Sequence, residues 1–214
     1  MRLALWLFLT GTFAALNLLS RSEGARPADD VIYQYSFGIG SLASYAILFS
    51  LVLALTVGLP RREVLALRRP ESWGRAIGLA FVSLVLIFIG AAIALSLTNA
   101  GDEQNLTPEG WDSSRAGAYA LSFVAVVFAA PITEELLYRG LGLSLLLARV
   151  GAPIAVGVTG LLFGLGHGLL LSLAAFVWFG IVIAVLRLRT DSIYPAFLVH
   201  CTFNSLGMVL PLFF

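Results

Sequence analysis

A chain of 214 residues that is 59% hydrophobic and 12% charged, with a mean hydropathy of +0.95, has too little polar surface for a water-soluble domain. It reads as a polytopic membrane protein, and its net charge of +1 gives no reason to expect a nucleic-acid partner. The single cysteine, Cys201, has no second thiol with which to close an internal disulfide.

A spanning helix needs about 20 mainly apolar residues. Seven windows meet that requirement: about 3–20, 33–59, 76–99, 116–149, 153–170, 172–188 and 192–213. The first follows a single Arg2, as a signal peptide would. Its apolar run continues to Ser20 without a small-residue cleavage pattern, so a retained first helix is expected. Between the second and third windows stand Arg61, Arg62, Arg68, Arg69 and Arg75, opposed by Glu63 and Glu71. This run reads as a solvated topology signal that touches anionic headgroups. The connection Gly101–Arg115 is acidic instead, with Asp102, Glu103, Glu109 and Asp112 against Arg115. Arg149, Arg187 and Arg189 mark later helix ends. The arginine bias places the N-terminus and the loops near 60–75, 150 and 190 on the cytoplasmic side. Asn105-Leu106-Thr107 matches a glycosylation acceptor triplet. The fourth window is too long for one straight span, and Pro131 removes a helix hydrogen bond within it, so a kink or break is expected there. The fifth and sixth windows are separated only by Gly168 to Ser172. No internal repeat is evident. The expectation is an all-α transmembrane bundle forming one membrane domain over 1–214, of which 1–115 rests on hydropathy alone.

Polar groups inside the spans hold the functional information. Glu134 and Glu135 lie side by side in the fourth window, and a carboxylate at the bilayer centre costs roughly 2.5–3.5 kcal/mol on insertion scales. The chain's two histidines, His167 and His200, also sit in apolar stretches. If the fourth and fifth helices turn near Val150-Gly151, Glu134 and His167 both lie about 22 Å from the turn. His200 and Asn204 on the last helix lie about 15 and 21 Å from the same side. His200 and Asn204 are four apart and share one helix face, as do Phe163 and His167, which places an aromatic wall beside an imidazole. Glu135 and Arg139 form an i,i+4 pair that neutralises itself and braces the helix. Glu134 has no such helical partner, which suits a general acid or base. Cys201 points about 100° away from His200 and reads as packing. The glycines at 157, 160, 164, 166 and 168 permit close helix packing.

Glutamate plus histidine can activate a water for attack on a carbonyl, and a second histidine with an asparagine can donate to the resulting oxyanion. Glu134, His167 and His200 could instead be three zinc ligands with an open fourth position. The same polar cluster could also serve binding alone, in a scaffold, immunity or transport protein. Three motifs stand in order: Glu134-Glu135-Leu136-Leu137-Tyr138-Arg139, Phe163-Gly164-Leu165-Gly166-His167, and His200-Cys201-Thr202-Phe203-Asn204. They resemble the E-E-x-x-x-R, F-x-x-x-H and H-x-x-x-N motifs of the CAAX prenyl protease and bacteriocin-processing family over about 116–210. The resemblance implies an intramembrane glutamic endopeptidase without a metal cofactor. Glu134 and His167 would activate water, and His200 and Asn204 would hold the oxyanion, with Glu135, Arg139 and Phe163 in support. It implies hydrophobic or lipid-modified peptide substrates drawn from the lipid bilayer.

Overall fold

Seven apolar helices account for the hydropathy windows in the computed structural model, which describes residues 1–22, 30–100, 103, 106–108 and 110–213. They are α1 (Arg2–Ser22), α2 (Tyr35–Leu55), α3 (Trp73–Thr98), α4 (Ser113–Leu147), α5 (Ala152–Gly166), α6 (Leu173–Thr190) and α7 (Tyr194–Val209). All but α5 are long and apolar enough to cross a membrane, and no strand occurs among the described residues. The molecule is an all-α, multi-pass membrane bundle. Asp102, Asn105 and Glu109 lie outside the described residues, Asn105 being the acceptor of the glycosylation triplet.

α4 is the central helix, with residues 137–143 all buried, and α2, α5, α6 and α7 pack around it. It does not break at Pro131. The helix instead widens into π-helix over Ala125–Ala129, returns to α-helix over Ala130–Glu134, and widens again over Glu135–Gly142. The Ala130 N–H donates to the Ala125 carbonyl five residues back. In that register the Val126 carbonyl would need a donor from Pro131, which has none. The second wide stretch is held from outside, by Trp6 of α1, whose indole N–H donates to the Leu137 carbonyl at 2.9 Å.

α5 and α6 pack with their backbones in close approach. A Cβ added at Gly180 would lie 2.8 Å from the Gly160 Cα, so the two backbones touch where neither residue has a side chain. Gly164 meets Val177 as closely, whereas a Cβ at Gly157 would meet nothing within 4 Å. The packing expected of the glycines in α5 therefore holds for Gly160 and Gly164 and fails for Gly157.

The two ends of the bundle differ in charge. At one end Arg2 donates to the Val57 carbonyl, the Ile193 N–H donates to the Ala66 carbonyl, and Arg68 pairs with Asp191. The expected neighbourhood of the loops near 60–75 and 190 is thus present. At the other end Arg115 pairs with Asp30 and Asp112, and the Tyr33 hydroxyl donates to the Gly110 carbonyl. The Ser114 hydroxyl and the Arg115 guanidinium lower the Asp112 carboxyl to about 2. A carboxyl lowered on folding stabilises the fold above its ordinary 3.8 and ceases to do so as the pH falls through about 2.

Gly180→Ala should overpack the α5–α6 contact and lower the thermal midpoint in detergent, for a cost of about 1–3 kcal/mol. Gly157→Ala should leave that midpoint unchanged or raise it, because a helical Gly to Ala exchange into open space gains up to about 1 kcal/mol. Equal midpoints for the two variants would contradict the packing described.

Candidate active site

Glu134 and Glu135 point different ways from α4, and their surroundings divide them into two roles. Glu135, 1% exposed, accepts from Arg139 Nη1 at 3.2 Å and lies 2.8 Å from His200 Nδ1, all through Oε1. Arg139 is fully buried and also donates to the Gly180 carbonyl at 3.3 Å, with its guanidinium 4.3 Å from the Phe163 ring centre. The helical pair expected from the spacing is therefore real, and it reaches further than a brace. It fixes His200 on α7 and holds Phe163 on α5 and the backbone of α6. The wide helical turn over Glu135–Gly142 presents this pair to three neighbouring helices at once.

Glu134 faces a cavity of about 530 Å³ instead. One carboxylate oxygen accepts from the Tyr45 hydroxyl at 3.0 Å, and the other lies 3.7 Å from His200 Nε2, beyond hydrogen-bond length. Tyr45 was not singled out from the sequence. Its signal there is faint: a polar residue in the middle of α2, four after Ser41 and on the same face, and both line the cavity. Tyr138, which follows Glu134 by four, also lines the cavity, and its buried hydroxyl has no partner among the described residues.

His167 caps the C-terminal end of α5, with Nδ1 2.9 Å from the Phe163 carbonyl. A carbonyl can only accept, so Nδ1 carries the proton and Nε2 is left as the acceptor in the neutral ring. The aromatic wall expected at Phe163 is present, with ring centres 4.8 Å apart, and Phe176 stacks on the imidazole with centres 4.0 Å apart. Phe179 stands edge-on to His200 at 4.8 Å. These rings fix two imidazoles without competing for their protons.

Asn204 donates through Nδ2 to the Val126 carbonyl at 2.8 Å. That is the carbonyl orphaned by Pro131 and the π register, so the proline of the fourth span and the asparagine of the last one are parts of one arrangement. Nδ2 carries a second hydrogen, and the side chain lines the cavity. Glu134, His167, His200, Asn204 and Phe163 thus all line one space, while Glu135 and Arg139 lie behind it. Cys201 is buried outside that lining.

Among the described residues no three His, Cys, Asp or Glu side chains gather as a metal-binding group.

Residues 116–206 match the family model described as type II CAAX prenyl endopeptidase, Rce1-like. Over this segment the chain is similar to the CAAX-protease family. All three motifs fall inside it, as do α5 and α6 whole. Neither a curated protein nor a solved structure matches the chain. The family is one of membrane peptidases, and the matched segment is the part that supplies both glutamates, both histidines and the asparagine.

Arg139→Ala should strand the Glu135 carboxylate in the core at a cost of about 3–5 kcal/mol, read as a collapse of monodisperse protein in detergent. Asn204→Ala should leave the Val126 carbonyl unpaired and cost about 1–3 kcal/mol, read as a lower thermal midpoint. An Asn204→Ala midpoint equal to that of the parent would remove the structural role given to this residue.

Proposed function

We propose that this protein is an intramembrane endopeptidase in which Glu134 is the general base for a water that attacks a peptide carbonyl. The observation that carries the reading is the convergence of Glu134, His167, His200 and Asn204, from three different helices, on one cavity within a membrane bundle. Tyr45 orients one oxygen of Glu134 and leaves the other toward the cavity. His167, with Nδ1–H given to the Phe163 carbonyl, offers Nε2 as a second acceptor for the same water. The water's oxygen bonds to the carbonyl carbon while its proton passes to Glu134. Negative charge gathers on the former carbonyl oxygen, and the C–N bond breaks as Glu134 returns the proton to the leaving nitrogen.

His200 and the second N–H of Asn204 supply the oxyanion donors. With Nδ1 held against Glu135, the ring is oriented with Nε2 toward Glu134 and the cavity. Glu135 and Arg139 act through His200 and are positioning residues. Catalysis needs no metal in this scheme. Substrates are hydrophobic or lipid-modified peptides, because the cavity's walls include apolar side chains such as Phe37, Ile87, Leu95 and Phe203. The N-terminus and the arginine-rich end are assigned to the cytoplasm of a bacterial-type cell membrane.

Purified protein in detergent, given a pool of hydrophobic and lipid-modified peptides and read by mass spectrometry, tests the assignment. Glu134→Gln and His167→Ala should each lower cleavage by about 10²–10⁴-fold, the usual worth of a positioned proton carrier, with folding unchanged. Wild-type cleavage should withstand a strong chelator. Turnover surviving Glu134→Gln would sink the proposal, and loss with chelator that zinc restores would turn the same residues into ligands.

A further inference from the structure

The cavity lies toward one end of the bundle. The α4 lining residues, Val126 to Tyr138, are central, and on the other six helices the lining runs toward the same end: Asn17 and Arg21 close α1, Leu95 lies near the end of α3, and Gly207 and Met208 lie near the end of α7. Glu103 and Thr107, from the connection between α3 and α4, complete the rim. Nothing from residues 56–75, 144–154 or 187–194, at the opposite end, lines it.

The opposite end is the arginine-rich one. Arg61, Arg62, Arg68, Arg69 and Arg75 lie between α2 and α3, and Arg2, Arg149, Arg187 and Arg189 join them, against Glu63, Glu71 and Asp191. At the cavity end the described charged residues are Arg21 and Arg115 against Asp30, Glu103 and Asp112. Arginines flanking short loops set orientation, and acidic residues contribute little. The arginine-rich end therefore faces the cytoplasm and the cavity lies toward the other side.

The cavity wall shared by α2 and α3 lies in the same half of the bilayer. α2 packs on α4, while α3 packs on α6 and α7, yet both α2 and α3 line the cavity, through Phe37, Ser41 and Tyr45 and through Ile87, Ala91 and Leu95. The residues of α2 lie in its first half and those of α3 in its second, so this wall belongs to the leaflet away from the arginines.

We infer that the site takes its peptides from the non-cytoplasmic face: exported peptides, or segments anchored in the outer leaflet, rather than cytoplasmic tails. That they are cut there rests on the peptidase reading above, while the side on which the cavity lies does not. Cysteine labelling in intact expressing cells tests it, on a Cys201→Ser background, with a membrane-impermeant maleimide. Arg62→Cys marks the arginine-rich end, Ser113→Cys the acidic end, and Ser41→Cys the cavity wall; Arg62 and Ser113 are both exposed. Ser113→Cys and Ser41→Cys should label in intact cells, and Arg62→Cys should label only after permeabilisation. The reverse pattern, or Ser41→Cys labelling only together with Arg62→Cys, would overturn the inference. Peptides cleaved by the purified protein should also be cleaved when supplied outside intact cells. Because labelling needs no turnover, an inactive preparation leaves the sidedness decided, and a wrong sidedness leaves the peptidase assay intact.

Discussion

Everything about this molecule turns on a carboxylate that has been taken out of water and given two partners on two helices. Glu135 sits among apolar side chains, where an unpaired charge costs several kcal/mol. Arg139 opposes that charge from one turn away, and His200 occupies the same oxygen from α7. Because a buried charge tolerates no slack, the pair fixes the rotation of α4 and the placement of α7 against it. Arg139, stacked on Phe163 and bonded to the Gly180 carbonyl, extends that constraint to α5 and α6. Glu134, the next residue, can then face the cavity with its carboxylate free for chemistry, since its neighbour already meets the structural demand.

The same economy governs the helix that carries both glutamates. Two π stretches on either side of a five-residue α segment rotate successive side chains by less than the usual 100° and leave carbonyls short of donors. In water those carbonyls would be solvated; in a bilayer they must be met by protein. Asn204 meets Val126 and Trp6 meets Leu137, so α7 and α1 are tied to α4 through backbone irregularities rather than through apolar packing alone. A straight α4 would need neither partner, and it would not set Glu134 and Glu135 toward different surroundings.

Much of this was legible before any coordinates. Seven apolar windows became seven helices because membrane spans declare themselves by length and hydropathy, which tertiary context rarely overrides. The i,i+4 pairs Glu135–Arg139, Phe163–His167 and His200–Asn204 follow from helix geometry and survive into the structure. What could not be read was the identity of partners from distant segments. Tyr45 meets Glu134 across 89 residues, and nothing in α2 singles out that tyrosine. Pro131 signalled an irregular helix, but a proline alone does not distinguish a break from a widened turn, and the compensating Asn204 lies 78 residues from the carbonyl it satisfies. The spacing of Glu135 suggested a brace for one helix; its hold on His200 depends on a tertiary contact that no periodicity encodes.

The length of α5 explains why the site is both deep and reachable. Its 15 residues rise about 22 Å, less than the roughly 30 Å of a bilayer's hydrocarbon core, so the helix that starts at the arginine-rich end stops inside the membrane at His167. Irregular backbone at that depth is tolerated only where protein or a wet cavity meets its polar groups. Gly168, at φ +67°, makes the turn against the backbone of Asn17, where any Cβ would collide, and the Asn17 amide donates to the Gly166 carbonyl at 3.0 Å. The Glu103 carboxylate accepts from the Leu171 and Ser172 N–H groups that open α6. A truncated helix thus delivers a histidine to the middle of the bundle, and the non-helical turn that follows it requires polar company on the side away from the arginines. The depth of the imidazole and the end toward which the cavity lies are two consequences of one short helix.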